Sequence, residues 1–280
     1  MKKQFINLIV LLFSISSFAS VNWLSDLEQA KKVAIATNKL IFVDFTASWC
    51  GPCRMMERES WSNNEVATLM SSYVPVQIDL DQQRSLAQKY GVRGIPNLFI
   101  LDSNGYVLYE DMSYKTKSQV LNLLKKYALN TSYMQQEYLA YFKNKNSITT
   151  YRLANKILDY TLLLDKSLKK DFLTLSKIYS KNLEKTLSKD AKSNVNLKFG
   201  ADLLKIQQLL YAKKSKKAFK LIEKIDLSKL NNSLTARYYF LNYIYYKLVK
   251  DSEKERLWLT KIETTKYAKN YKSKAKLLFK

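Results

Sequence analysis

The only two cysteines of the 280-residue chain, Cys50 and Cys53, are separated by two residues and follow a run of strand-forming residues. Two thiols at this spacing, at the end of a strand and the start of a helix, can close a small disulfide ring. In such a ring we expect the first sulfur to be exposed and the second to lie behind it. In the reduced pair the first sulfur then attacks, and the second resolves the mixed disulfide. The chemistry that the pair predicts is thiol–disulfide exchange.

The alternatives to redox chemistry for the cysteine pair are a zinc site and a purely structural disulfide. A zinc site takes four ligands, and the chain has no further cysteine and no histidine to complete one. The metal interpretation therefore fails on ligand number. A purely structural disulfide is the remaining alternative, but a ring this short constrains little of the unfolded chain and so stabilises little.

The segments around the cysteines predict the elements that position them. Apolar and β-branched runs predict strands over residues 40–46 and 73–80, and a hairpin of 97–102 with 106–110 about Ser103-Asn104-Gly105. Helices are predicted over 26–37 with Ser25 as N-cap, from Gly51-Pro52 onward, over 64–72, over 81–90 with Asp81 as cap, and over 116–128. This order predicts a mixed central sheet with helices on both faces.

The predicted helix after Cys50 bears on the reactivity of that cysteine. Proline is tolerated in a first helical turn, so the helix begins at Gly51-Pro52 and its N-terminal end faces Cys50. We therefore expect the pKa of Cys50 to lie below the free value of about 8.5. Asp44 lies in the middle of the apolar strand, where burial raises a carboxyl pKa, and this suits a proton acceptor for Cys53. On position alone, a hydrogen-bonded core aspartate is an equally good interpretation.

Four motifs, in order, resemble those of the thioredoxin family: Val43-Asp44-Phe45, Trp49-Cys50-Gly51-Pro52-Cys53, the segment 89–96, and Asp102-Ser103-Asn104-Gly105. The resemblance covers residues 21–129 and is nearest to the exported thioredoxin-like proteins found beside bacterial disulfide-exchange proteins. It implies an α/β thioredoxin fold and no cofactor. It also implies that Cys50 attacks, that Cys53 resolves and that Asp44 accepts a proton.

The resemblance further implies the surface that meets a substrate. Trp49 forms the rim, Gly51 and Pro52 lie between the cysteines, and Ile95, before a cis Pro96, offers its backbone to an extended segment. The Gly-Pro pair resembles reductants more than oxidants.

Some positions depart from the family pattern. Gln77 stands where thioredoxins often place a lysine near the buried aspartate, so the family's effect on the pKa of that aspartate does not carry over to Asp44. Thr46, Asn97 and Ser113 also differ from the residues that the family commonly has at these positions. Substrate choice therefore does not carry over from the family.

Residues 1–19 predict a secretory signal peptide, with Lys2 and Lys3, an apolar run over 5–13, and Ser17-Phe18-Ala19 as a small-x-small cleavage site. An uncleaved membrane anchor is the alternative, which the short apolar run disfavours. No cysteine lies near the cleavage site, which argues against a lipoprotein anchor. A periplasmic or secreted location follows, in a compartment where disulfides persist.

The composition changes after the predicted thioredoxin-like domain, residues 20–129. Only Gly200 of the five glycines and none of the three prolines lie beyond it. Apolar residues at helical spacing run through 151–164, 172–187, 197–211, 218–225, 238–249 and 257–262. These patterns predict a second, all-α helical domain over residues 130–280.

A weak repeat occurs within the predicted helical domain. Residues 213–217 and 250–254 match at three of five positions, at an offset of 37 residues. The spacing favours a degenerate array of helical hairpins, similar to tetratricopeptide units, over an irregular helical bundle.

The positive charge of the chain is concentrated in its second half. Residues 131–280 carry 33 Lys and Arg against 13 Asp and Glu, out of a net charge of +23 for the whole chain. This charge predicts an acidic partner, either an anionic membrane surface or an acidic protein, unless it reflects only solvated helix faces. Nucleic acid is disfavoured because few arginines are present and the chain is predicted to be exported.

The function predicted from the sequence is that of an exported thiol–disulfide oxidoreductase. It reduces or exchanges disulfides in envelope proteins, takes electrons from a membrane disulfide-exchange protein, and uses its helical domain to bind partners or substrates. One alternative is a disulfide oxidase or isomerase. Another is a binding or assembly factor in which the helical domain carries the function.

Overall fold

The structure is a computed structural model that describes residues 20–188 and 195–280. The predicted signal peptide, residues 1–19, lies outside the described residues. Within the described ranges, no helix combines the length and the apolar character needed to cross a bilayer.

A four-stranded mixed sheet forms the centre of the N-terminal part. Its strands are β1 (Leu40–Thr46), β2 (Tyr73–Asp79), β3 (Asn97–Leu101) and β4 (Val107–Asp111), in the spatial order β2-β1-β3-β4. Strand β1 runs parallel to β2 and antiparallel to β3, and β3 runs antiparallel to β4. The predicted mixed sheet is thus confirmed. Residues 40–45 of β1 are all buried, which explains why every one of them except Asp44 is apolar.

Helices cover both faces of this sheet. They are α1 (Leu27–Thr37), α2 (Gly51–Met56), α3 (Asn64–Met70), α4 (Arg84–Lys89) and α5 (Lys117–Tyr127), and α2 continues through a π-helical turn, Glu57–Trp61. Alternate residues of β1 enter different apolar clusters, Phe42 on one face and Val43 on the other. The predicted helix start at Gly51-Pro52 is also confirmed.

The predicted N-cap of α1 is wrong by one residue. Asp26, not Ser25, is the cap, and its Oδ1 accepts hydrogen bonds from the backbone N–H groups of Glu28 and Gln29 at 2.7 and 3.2 Å. Both residue types cap helices, but a carboxylate is the stronger acceptor and also complements the positive end of the helix.

The predicted cap of α4 is also wrong. The helix begins at Arg84, and Asp81 lies in the turn before it. Asp79 Oδ1 accepts a hydrogen bond from the backbone N–H of Asp81 at 2.8 Å, which holds that turn outside the helix.

All regular structure in the described part of residues 130–280, here called the helical region, is helical. Its α-helices are α6 (Gln135–Lys143), α7 (Ser147–Tyr160), α8 (Lys166–Leu187), α9 (Val195–Tyr211), α10 (Ser215–Ile222), α11 (Asn232–Val249), α12 (Ser252–Glu263) and α13 (Ala268–Leu278). Each of the six predicted helical segments falls on one of them. Helices α6 and α13 were not predicted from the sequence, because they bury only two residues and one residue respectively and so carry a weak apolar stripe.

The segments that match at an offset of 37 residues adopt the same backbone conformation. Lys213 and Lys250 both have a left-handed conformation, with φ of 56° and 62°, shortly after α9 and directly after α11 respectively. The next helices begin two residues later, at Ser215 and Ser252. A helix–turn–helix therefore recurs at this offset, while its kinship to tetratricopeptide units stays a prediction.

The helical region contacts the end of the sheet that lies away from the cysteines. Thr131 N–H donates to the Asn38 carbonyl at 2.9 Å, just before β1 begins, and Tyr179 Oη donates to Asp102 Oδ2 at 2.6 Å, just after β3 ends. Because β1 and β3 are antiparallel, these two contacts lie at one end of the sheet and Cys50 follows β1 at the other.

The apolar core continues across this contact. One cluster of buried side chains extends from Phe42 of β1 to Phe172 of α8. The division between residues 129 and 130 stays a prediction, since this cluster contains side chains from both sides of it.

Candidate active site

Cys50 and Cys53 form a disulfide where the central strand gives way to a helix. The S–S distance is 1.97 Å and the two Cα atoms are 5.3 Å apart. Cys50 is the N-cap of α2, and its Sγ accepts a hydrogen bond from the backbone N–H of Cys53 at 3.2 Å. The start of α2 thus directs a donor at the sulfur that the sequence predicts to attack.

The prediction that the first sulfur is exposed is wrong for the disulfide form. Cys50 is 4% exposed and Cys53 is 6% exposed. In the disulfide, Cys50 Sγ lies against the first turn of α2, where it accepts the hydrogen bond from the Cys53 N–H. The exposed residues at this position are their neighbours, Trp49 and Pro52, whereas Gly51 is half-buried.

Trp49 presents most of its side chain to solvent, while its indole nitrogen is held by a hydrogen bond. The residue is 62% exposed, and its Nε1 donates to Asp81 Oδ2 at 3.0 Å. This bond orients the indole beside the disulfide. Sequence reasoning missed Asp81 in this role, because nothing in the sequence links two residues that are 32 positions apart.

Asp44 is buried in β1 and its partner is the residue opposite it on β2. Gln77 Nε2 donates to Asp44 Oδ2 at 3.2 Å, and the two residues are in register across the strands. Burial raises the pKa of Asp44 to about 6, an effect that the Gln77 hydrogen bond opposes and the nearby negative charge of Glu57 reinforces. The direction is the one expected from the sequence, while the role of Asp44 as proton acceptor stays a prediction.

The loop before β3 carries the other predicted substrate-binding residues. The Ile95–Pro96 peptide bond is cis, Ile95 is half-buried and Pro96 is buried. Met112, 54% exposed, lies against this loop, since a Cβ on Gly94 would approach its Sδ to 3.1 Å. Sequence reasoning missed Met112, because a single methionine in a polar stretch has no periodic signal.

A dithiol that closes where strand gives way to helix on this mixed sheet defines a class of protein, the thiol–disulfide oxidoreductases of thioredoxin fold. Comparison with known sequences agrees. The family model described as a thioredoxin-like domain matches residues 27–128.

Individual relatives are similar over 85 or 86 residues of the chain. Thioredoxin-1 of Drosophila melanogaster is 37% identical over 86 residues, which is 31% of this chain and 77% of that protein. Thioredoxin H4 of Arabidopsis thaliana is 36% identical over 85 residues, 30% of this chain and 66% of that protein. A solved structure, that of a mutant thioredoxin from Halobacterium salinarum, is 27% identical, with 41% of this chain and 96% of that chain covered and a TM-score of 0.32.

The chain belongs to the thioredoxin family, on the strength of the sequence matches. It is a thioredoxin-like oxidoreductase with a Cys50–Cys53 disulfide.

Proposed function

We propose that this protein is an exported thiol–disulfide oxidoreductase that reduces or exchanges disulfides in other envelope proteins. The observation that carries the proposal is the Cys50–Cys53 disulfide, closed at the start of α2 with the Cys53 N–H directed at Cys50 Sγ. The signal-like residues 1–19 support export to the periplasm or beyond the cell, as does the resemblance to exported bacterial relatives.

In the proposed reaction, the Cys50 thiolate attacks one sulfur of a substrate disulfide. A mixed disulfide forms and the first substrate sulfur leaves as a thiolate. Cys53 then loses its proton to Asp44 and attacks Cys50 Sγ, which releases the second substrate thiolate and closes the Cys50–Cys53 bond. Two electrons pass from the protein dithiol to the substrate disulfide.

The residues between the cysteines support the reducing direction. Gly51-Pro52 resembles the pair found in reductants, and the chain has no histidine to place there. Turnover then needs a reductant for the Cys50–Cys53 disulfide. A membrane disulfide-exchange protein is the proposed electron donor.

The placement of the helical region supports a role in binding partners. Its contacts at Asn38 and Asp102 lie at the end of the sheet away from Cys50. These contacts do not cover the end of the sheet that carries Cys50, where Trp49 and Pro52 are exposed. The excess of lysine in this region supports a partner with negative charge, either an anionic membrane surface or an acidic protein. The few arginines and the proposed export argue against nucleic acid.

The experiment is a trapping comparison in cells that export the full chain. Cys53→Ser should accumulate mixed disulfides with envelope proteins, visible on non-reducing gels and identified by mass spectrometry. Cys50→Ser is the matched control and should trap nothing, because it lacks the attacking sulfur.

The trapping comparison and two further measurements decide between the proposed function and its alternatives. No trapped species from Cys53→Ser would contradict the proposal. A double Cys50→Ser, Cys53→Ser variant that keeps full cellular function would favour a binding or assembly factor instead. Trapped partners that become more oxidised when the protein is present would favour an oxidase, and partners whose disulfide pairing changes without net oxidation would favour an isomerase.

A further inference from the structure

A second concave site lies within the helical region, far along the chain from the cysteines. It is a cavity of about 430 Å³ between the turn after α7, one face of α8 and the turn after α9. Six lysines line it: Lys166, Lys169, Lys170, Lys177, Lys213 and Lys214. Leu162 and Leu173, 7% and 8% exposed, give it an apolar floor, to which Leu278 of α13 contributes.

Helical periodicity and one turn bring these residues together. Lys166, Lys169, Leu173 and Lys177 recur every three or four positions and so share a face of α8. The left-handed conformation of Lys213 follows the end of α9 and places Lys213 and Lys214 at the same cavity. Lys213 and Lys214, which belong to the weak repeat found in the sequence, thus contribute to the lining of this cavity.

The lysines of the cavity have no acidic partner in the described part of its lining. Within 20–188 and 195–280, no acidic residue lines the cavity and none of its six lysines forms an ion pair. Other lysines of the helical region are paired, such as Lys247 with Glu255 at 2.7 Å and Lys274 with Asp159 at 2.7 Å. Burial and the neighbouring charge of Lys214 lower the pKa of Lys177. A bound anion would relieve this repulsion.

We propose that the cavity binds the phosphorylated headgroup of an anionic lipid, with the phosphate among the lysines and the adjoining apolar part against Leu162 and Leu173. Ammonium groups are compact charges that suit phosphate oxygens, and they carry aliphatic stems that continue the apolar floor. The inference rests on the acidic-partner part of the proposed function and makes that partner a lipid. It does not depend on the reaction of Cys50 and Cys53.

Binding is measured by titration calorimetry on the purified full chain, with monomeric dihexanoyl phosphatidic acid as the probe. The triple variant Lys177→Gln, Lys213→Gln, Lys214→Gln should weaken binding by at least about tenfold, because each lysine beside an anionic headgroup contributes to affinity. The matched control is Lys216→Gln, Lys217→Gln, Lys220→Gln, which removes the same charge from the adjacent helix without touching the cavity. It should change affinity by no more than about twofold, because these three exposed lysines do not line the cavity and their charges are screened by water and salt.

Comparison probes decide which chemistry the cavity recognises. Equal losses in the two triple variants would overturn the proposal in favour of an overall charge effect. Inorganic phosphate or dihexanoyl phosphatidylcholine binding as tightly as the phosphatidic acid would show that only the anion or only the apolar part matters, and either result contradicts it. A peptide of alternating Glu and Leu that binds more tightly would make the occupant an acidic protein.

Insulin reduction measured on the same samples separates this inference from the proposed function. Both triple variants should retain wild-type reduction, because their substitutions lie away from the disulfide. Weak lipid binding with normal reduction overturns the lipid site alone. Strong lipid binding with no reduction in the wild-type protein contradicts only the redox proposal.

Discussion

Replacing Asp44 by asparagine should stabilise the oxidised protein at neutral pH while slowing its chemistry. The carboxyl is buried in β1, where the Gln77 amide donates to it at 3.2 Å, and burial raises its pKa from 3.8 to about 6. Each pKa unit corresponds to about 1.4 kcal/mol, so ionised Asp44 costs the folded state about 3 kcal/mol. An asparagine can accept the same bond from Gln77 without carrying a charge.

The sign of the pH dependence that Asp44 gives to stability follows from proton binding in the folded and unfolded states. Between pH 3.8 and about 6, folded Asp44 keeps a proton that the unfolded chain releases. The stability contributed by this proton is therefore lost as pH rises through that window. The variant should exceed the wild-type protein in stability by about 1 kcal/mol at pH 4.5 and about 3 kcal/mol at pH 8.

Guanidinium unfolding of both oxidised proteins at the two pH values measures this difference. The exposed substitution Glu65→Gln is the control and should change stability by less than about 0.5 kcal/mol at either pH. A stability gap that is the same at pH 4.5 and pH 8 would refute the reasoning, as would a variant that is less stable at pH 8.

A second readout of the same variant tests the role of Asp44 in catalysis. If Asp44 accepts the proton of Cys53, release of a preformed mixed disulfide should slow by about a hundredfold in Asp44→Asn. Stopped-flow measurement of product release gives this rate. Unchanged release would make Asp44 a core residue and not a proton acceptor.

Three further substitutions test other parts of the structure. Tyr179→Phe removes the hydroxyl that donates to buried Asp102 at 2.6 Å and should lower the unfolding free energy by about 1–3 kcal/mol; an unchanged value would mean that this contact between the helical region and the sheet contributes nothing. Gly105→Ala puts a side chain at a φ of +85°, where its Cβ would also lie 2.8 Å from the Tyr90 hydroxyl oxygen, and should lower Tm by several degrees in a thermal scan, whereas a Tm at the wild-type value would show that this left-handed backbone tolerates alanine. Trp49→Ala should raise KM for insulin reduction with little change in Tm, because the side chain is 62% exposed beside the disulfide, and an unaltered KM would remove Trp49 from the substrate surface.

The central strand and the reactive pair were predictable from local sequence. The strand at residues 40–46 was recognisable because a strand covered on both faces is mostly apolar, and residues 40–45 are all buried. Pro52 indicated the helix start, since proline is compatible only with a first turn, and the position of Asp44 in the apolar run indicated the direction of its pKa shift.

What sequence reasoning missed depends on contacts between distant residues. The burial of Cys50 depends on the residues that pack around it, and the bond from Trp49 to Asp81 joins residues 32 positions apart, so no local pattern in the sequence shows either one. The contact of Tyr179 with Asp102 spans 77 positions, so periodicity within either element cannot show it.

The most direct test of the central claim is the reduction potential of the Cys50–Cys53 pair, measured on the purified protein by equilibration with glutathione and thiol trapping. A dithiol built to donate electrons should have a value near about −270 mV, which is typical of thioredoxins. A value near about −120 mV, typical of strong oxidants, would contradict the account and mean that the protein forms disulfides instead of reducing them.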